Sequence, residues 1–213
     1  MPVQASGMAI ERNWFKRRPA EASSQGTLLL IPEMRAWARP DEIELIDYYM
    51  NTSGFGEIGE APKWDPRNRE TADHSMPYIF ARAFLDGDIY ADSYTEAKFM
   101  DPAARALMDK MVCTEVREWV GLGPARIVIR KKNGESRTWD TYNGARHLGL
   151  AEYPHFTEQE TLEKFNRAAA YAKLDDAQRE RARRAWGNLR EVREINDAIQ
   201  TLARFGRPRP LTA

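Results

Sequence analysis

The chain has 213 residues, and its 32 Lys plus Arg against 32 Asp plus Glu give a formal net charge of zero, so no broad attraction to nucleic acid or an anionic membrane is expected. A single cysteine, Cys113, excludes an intrachain disulfide, and His74, His147 and His155 show no zinc-ligand spacing. Apolar runs such as Leu28 to Ile31 fall far short of the roughly 20 residues of a membrane span, while the length allows one domain or two small ones with a buried core.

In chain order, Met1 to Asn13 reads as a leader without the apolar region of a signal peptide, making the cytoplasm the default location. Ser23 to Met34 predicts a helix with Leu28, Leu29 and Ile31 inward, weakened by Gly26 and Pro32. β-branched and aromatic residues predict a strand over Ile43 to Met50. Thr52 to Pro62 contains three glycines and reads as a mobile loop. A helix from Met76 to Asp86 follows, ending at Gly87, and Asp101-Pro102 opens another that runs to Met111. Ala125 to Lys132 and Glu135 to Tyr142 flank Asn133-Gly134, predicting a structural hairpin closed by a two-residue primed turn.

From Thr157 the pattern is helical. Thr157 and Glu160 form a capping box ahead of Leu162, Phe165 and Ala169. A second run, Ala177 to Arg204, sets Trp186, Leu189, Val192, Ile195, Ile199 and Leu202 near one face, a pattern that usually marks core. Arg179 to Arg184 reads as a solvated helix face, and Pro208 and Pro210 end the structured chain.

The densest chemistry lies in Lys63-Trp-Asp-Pro-Arg-Asn-Arg-Glu-Thr-Ala-Asp-His-Ser-Met-Pro-Tyr78. A helix N-terminus attracts anions, because its first N–H groups lack partners and the dipole is positive there. A loop carrying Lys63, Arg67, Arg69 and His74 toward the Met76 helix suits a carboxylate substrate. The simpler alternative has Asp73 capping that helix and His74 packed against it. His74 is the candidate acid or base at neutral pH, with Asp73 as its orienter. Tyr78 follows one helical turn later, where its hydroxyl would reach the same cleft. His147 and His155 have no such neighbours and read as structural or exposed.

The order Arg69-Glu-Thr-Ala-Asp-His-Ser75, continued by Pro77-Tyr78, resembles the signature of the MmgE/PrpD family. That family includes 2-methylcitrate dehydratases and relatives acting on cis-aconitate and iminodisuccinate. Leu85-Asp-Gly-Asp88 and the helix opening at Asp101-Pro102 extend the likeness. Phe15 to Glu21, with Gln25 beyond, resembles the start of the family's second domain. Relatives carry an aromatic residue before that proline and an aromatic-His pair after the glutamate. This chain has Arg18 and Ala22-Ser23 there.

The resemblance implies an α+β fold: a lid-like domain over residues 14–155, after the leader at 1–13, then a helical segment over 156–213 that completes an all-α domain. It implies a metal-free, cofactor-free lyase, here the small subunit or C-terminal half of a 2-methylcitrate dehydratase-like enzyme. Lys16, Arg69 and Ser75 would bind substrate, and Asp73, His74 and Tyr78 would serve the chemistry. Complete relatives have an upstream helical domain that also lines the site. The partner expected is therefore a second chain carrying that domain, in a hetero- or homo-oligomer acting on a small polycarboxylate. Decarboxylation or epimerisation of a related acid is the alternative within enzymes, and a non-catalytic half that regulates a full-length relative is the alternative outside them.

Overall fold

The computed structural model describes residues 15–143, 146–147 and 157–203. The leader, His155 and the prolines of the tail lie outside the described residues. The chain divides into two compact units, Met1–Pro154 and His155–Ala213.

The first unit opens with a 3-10 turn, Ala22–Ser24, leading into α1, Gln25–Trp37. Leu28, Ile31 and Met34 are buried on one face, with Leu29 only half-buried, and the helix passes through the exposed Pro32 rather than stopping there. Strand β1 is Ile43–Met50, as its β-branched and aromatic residues predict. The stretch expected to be a mobile loop is instead a packed wall: α2 (Thr52–Gly54), a π-helical turn (Phe55–Gly59) and a 3-10 turn (Ala61–Trp64). Asn51 starts it by accepting the Gly54 N–H at 3.1 Å, and Ile58 is fully buried in the core. Gly54 and Gly59 serve close packing here, whereas Gly56 is exposed with open space around it.

The next helices are α3, Arg69–Asp73, and α4, Met76–Asp86, which ends in the left-handed Gly87. Every residue of α4 from Met76 to Phe84 is buried. A 3-10 turn, Ala91–Tyr94, precedes α5, Glu96–Phe99, and α6, Pro102–Met108, the last capped by Asp101. The helix predicted to reach Met111 stops short of it. Met111–Glu115 forms strand β2, paired parallel with β1. Parallel neighbours need a crossover, and the helices between the two strands provide it.

Strands β3 (Ala125–Lys131) and β4 (Ser136–Asp140) form the expected hairpin and complete a sheet in the order β2-β1-β3-β4. Its turn differs from the expected type. A primed two-residue turn requires positive φ at both central residues, yet only Gly134 has it, at 90°. The Gly134 N–H donates to the Lys131 carbonyl at 2.9 Å, and the Lys131 N–H to that of Glu135 at 2.8 Å. The loop is therefore Lys132-Asn133-Gly134, an ordinary turn closed by a glycine bulge. Two short strands, β5 (Tyr142–Asn143) and β6 (Arg146–His147), pair antiparallel beyond it.

Alternation along the strands sends Ile46, Tyr48, Ile127 and Ile129 to one face, and a register shift between Ile43 and Leu45 brings Ile43 in as well, all fully buried in the same core as α1, α4 and α6. Each such side chain contributes about 1.5–3 kcal/mol by leaving water. The second unit contains α7 (Glu158–Tyr171), capped by the predicted Thr157–Glu160 box, α8 (Asp176–Gly187) and α9 (Ile195–Ala203). The run from Ala177 is broken into two helices by the 3-10 turn Leu189–Glu191. The whole molecule is thus α+β. No helix among the described residues is long and apolar enough to cross a membrane.

Candidate functional site

The signature residues fall on a break between two helices. Asn68 caps α3 by accepting the Thr71 N–H at 2.8 Å, and the Thr71 hydroxyl answers the Asn68 N–H at 3.3 Å. Arg69 is thereby the first helical residue, exposed, and makes no hydrogen bond or ion pair among the described residues. His74 leaves the helix, and its Nδ1 lies 2.5 Å from Asp73 Oδ1. A carboxylate can only accept here, so Nδ1 carries the proton and Nε2 is the nitrogen left for a ligand. Half of the His74 side chain is exposed, against 29% of Asp73.

The cap of α4 is Ser75 rather than Asp73. Fully buried, the Ser75 hydroxyl accepts the Tyr78 N–H at 3.2 Å and donates to the Lys63 carbonyl at 2.5 Å. The start of α4 is therefore closed by its own side chain and packed into the core, which leaves no open amide cradle for an anion. Tyr78 is fully buried as well, and its hydroxyl donates to the Ser93 carbonyl. Burial pushes that phenol far above its ordinary range, so it keeps its proton.

Of the cations before the break, Arg67 pairs with Asp65 at 2.8 Å, and Arg105 of α6 joins the same carboxylate at 2.6 Å. These bonds, the Arg67 one foremost, hold Asp65 below the usual carboxylate range. Trp64 is half-buried, donating its indole N–H to the Gly59 carbonyl at 3.3 Å. Arg67 and Trp64 thus stiffen the loop.

The N-terminal segment docks against this break. The Glu21 N–H donates to the Asp73 carbonyl at 3.0 Å. Buried Gln25 ties the segment down, its amide donating to the carbonyls of Arg18 and Ala20 while its oxygen accepts the Arg18 N–H at 3.1 Å. Arg18, standing where relatives carry an aromatic residue, pairs with Asp88 and lies 5.2 Å from the Tyr90 ring centroid. Lys16 is exposed at the head of this clamp.

Two residues that sequence reasoning passed over complete the surroundings. Glu21 is only 6% exposed, and its carboxylate accepts the Ser23 N–H at 2.6 Å. Burial raises its pKa above the ordinary value, Glu57 adds to the rise, and the amides of Ser23 and Ala22 with the Lys16 charge oppose it. Tyr94 is 4% exposed, and its hydroxyl has no hydrogen-bond partner among the described residues. Its phenol is raised chiefly by burial, with the Asp73 charge adding to the rise and Arg69 opposing it. Glu21, separated from Ser23-Ser24 by Ala22, signals a cap at most, and nothing in the sequence marks Tyr94.

Among the described residues no cluster of three or more His, Cys, Asp or Glu is arranged to hold a metal. Burial pushes the Cys113 thiol up to about 12, so it is not a thiolate nucleophile at neutral pH. Compared with protein families, the chain matches the model described as MmgE/PrpD C-terminal domain over residues 19–188.

Proposed function

The chain belongs to the MmgE/PrpD family through its C-terminal domain, and from that membership we propose that it is the small subunit of a split lyase. A second chain supplies the family's N-terminal helical domain, and the two together dehydrate a 2-methylcitrate-like hydroxy polycarboxylate. Removing water from such an acid needs a base for the proton alpha to a carboxylate and an acid for the departing hydroxyl. It also needs cations, because negative charge builds on that carboxylate as the proton leaves. Arg69 offers bidentate contact and Lys16 a point charge. His74, oriented by Asp73, meets the substrate through Nε2, and the principal base comes from the partner chain. Ser75 and Tyr78 support the site by fixing the start of α4.

The observation that carries this reading is the His74 Nδ1–Asp73 contact of 2.5 Å on a side chain still half exposed, beside an Arg69 with no partner among the described residues. Co-expression with a chain carrying the helical domain tests it. The pair should dehydrate 2-methylcitrate while neither chain does so alone, and His74→Ala in the pair should lower turnover at least about tenfold. Unchanged turnover removes His74 from the site. Carbon dioxide release or inversion at a stereocentre in the same assay would identify decarboxylation or epimerisation instead.

One observation favours the non-catalytic alternative. Ser23, where relatives carry histidine, is buried at 4% exposure, with the Gly123 backbone pressed against it. A Cβ on Gly123 would sit 2.5 Å from the Ser23 carbonyl oxygen, so this corner is closed to a ligand. A pair that assembles yet leaves every polycarboxylate unchanged supports a regulatory half.

A further inference from the structure

Met100 lies between α5 and α6, with its sulfur against the loop that leads into α3. Its N–H donates to the Glu96 carbonyl at 2.9 Å, which fixes the backbone there. The sulfur accepts from Arg105 Nη2 at 3.5 Å and from Arg67 Nη1 at 4.0 Å. These two guanidinium groups hold the loop. Both bind Asp65, and Arg105 also donates to the Pro66 carbonyl at 2.7 Å and to the Phe99 carbonyl at 2.9 Å. A thioether is a weak acceptor, so the sulfur adds little to this clamp. Exposure separates Met100 from its fellows: Met34, Met50, Met76, Met108 and Met111 are at most 4% exposed, whereas Met100 is 39% exposed.

We propose that Met100 is a modification site, oxidised by hydrogen peroxide to the sulfoxide, and that the new oxygen tightens the clamp on the loop at residues 65–67. In this step a sulfur lone pair forms the S–O bond as the peroxide O–O bond breaks. The sulfur loses two electrons, and the departing hydroxide takes the proton of the transferred oxygen and leaves as water. Oxidation makes an apolar side chain polar. Its oxygen arises within reach of two charged donors and forms with them the charge-assisted bonds that the sulfur cannot. The Asp65 contacts use Arg67 Nε and Nη2 and Arg105 Nη1, so these bonds are added rather than exchanged. The effect passes to α3, because the Arg67 N–H donates to the Thr71 hydroxyl at 3.2 Å beside the Asn68 cap.

Hydrogen–deuterium exchange and peptide mass spectrometry on the full chain test both parts. Mild hydrogen peroxide should oxidise Met100 at least about tenfold faster than any of the five buried methionines. Exchange in the peptide from Arg67 to Ala72 should then slow at least about threefold. Methionine sulfoxide reductases of both stereospecificities should restore the original rate. Met100→Leu, treated with the same peroxide, should show no slowing. A buried methionine oxidised as fast as Met100 overturns the modification site. Unchanged exchange once Met100 carries its oxygen overturns the clamp, and so does slowing in Met100→Leu. None of these readouts depends on the proposed function.

Discussion

The α+β unit and the C-terminal helices carry similar amphipathic patterns, yet only the first closes its apolar face. In α4, Tyr78, Phe80 and Phe84 are buried against the sheet, α1 and α6. In the C-terminal unit the buried residues are small, Ala169, Ala182 and Ala198 with Leu174, while Trp186, Leu189, Ile195 and Ile199 stay exposed. Periodicity reports that a helix has an apolar side. Whether that side is covered depends on a second element arriving, which periodicity does not report. The sharpest test of the contrast is Phe80→Ala, which should cost about 3–5 kcal/mol and appear as an early melting transition of the first unit by calorimetry. A cost below about 1 kcal/mol would show that the α4 core is loosely packed after all.

The same contrast explains how far the sequence could be read. Local signals carried α4, β1, the hairpin and the α7 cap, because each is specified by residues within a few positions: Gly87, the Ile43–Met50 run, Gly134, Thr157 with Glu160. Features that depend on distant partners were hidden. Strand β2 exists because β1 offers it a parallel edge, and five residues leave no periodicity strong enough to announce that. The wall from Thr52 to Trp64 folds because Ile58 finds the core, although its glycines suggest freedom. In the site, the spacing of Asp73 and His74 was legible. The burial that turns Glu21 and Tyr94 into unusual groups comes from segments far along the chain.

A mid-sized effect is expected at Arg82, which places charge inside the closed unit. Its guanidinium, 4% exposed, donates to Asp101 at 2.7 Å and to Asp86 at 2.5 Å. The Arg82 bond holds the Asp101 carboxyl below its ordinary value of 3.8. A depressed carboxylate adds stability above its ordinary pKa, and that stability is lost as pH falls through the folded-state value. Arg82→Met should therefore cost about 2 kcal/mol at neutral pH, less than a fully buried pair, because both aspartates are partly exposed and can regain water. Thermal melts should show the difference from the unaltered chain shrinking below pH 4. An unchanged gap at low pH would assign the loss to packing of the arginine stem rather than to its charge.

The smallest effect on the chain alone, and the one that turns the comparison toward function, belongs to the open face of α9. Ile195 is 56% exposed and Ile199 43%, so removing their side chains forfeits little burial. Each change to Ser should alter stability by no more than about 0.5 kcal/mol. If this face is instead closed in solution by the chain itself, the double variant will melt markedly earlier, and the distinction between the two units fails. If it is the surface that meets the helical-domain chain, the double variant will fold normally and lose its partner, since apolar residues at the centre of an interface carry much of its binding energy. Titration of the two chains by calorimetry measures that loss directly, and Phe80→Ala, folded at low temperature, gives the contrasting control: unstable, yet still able to bind.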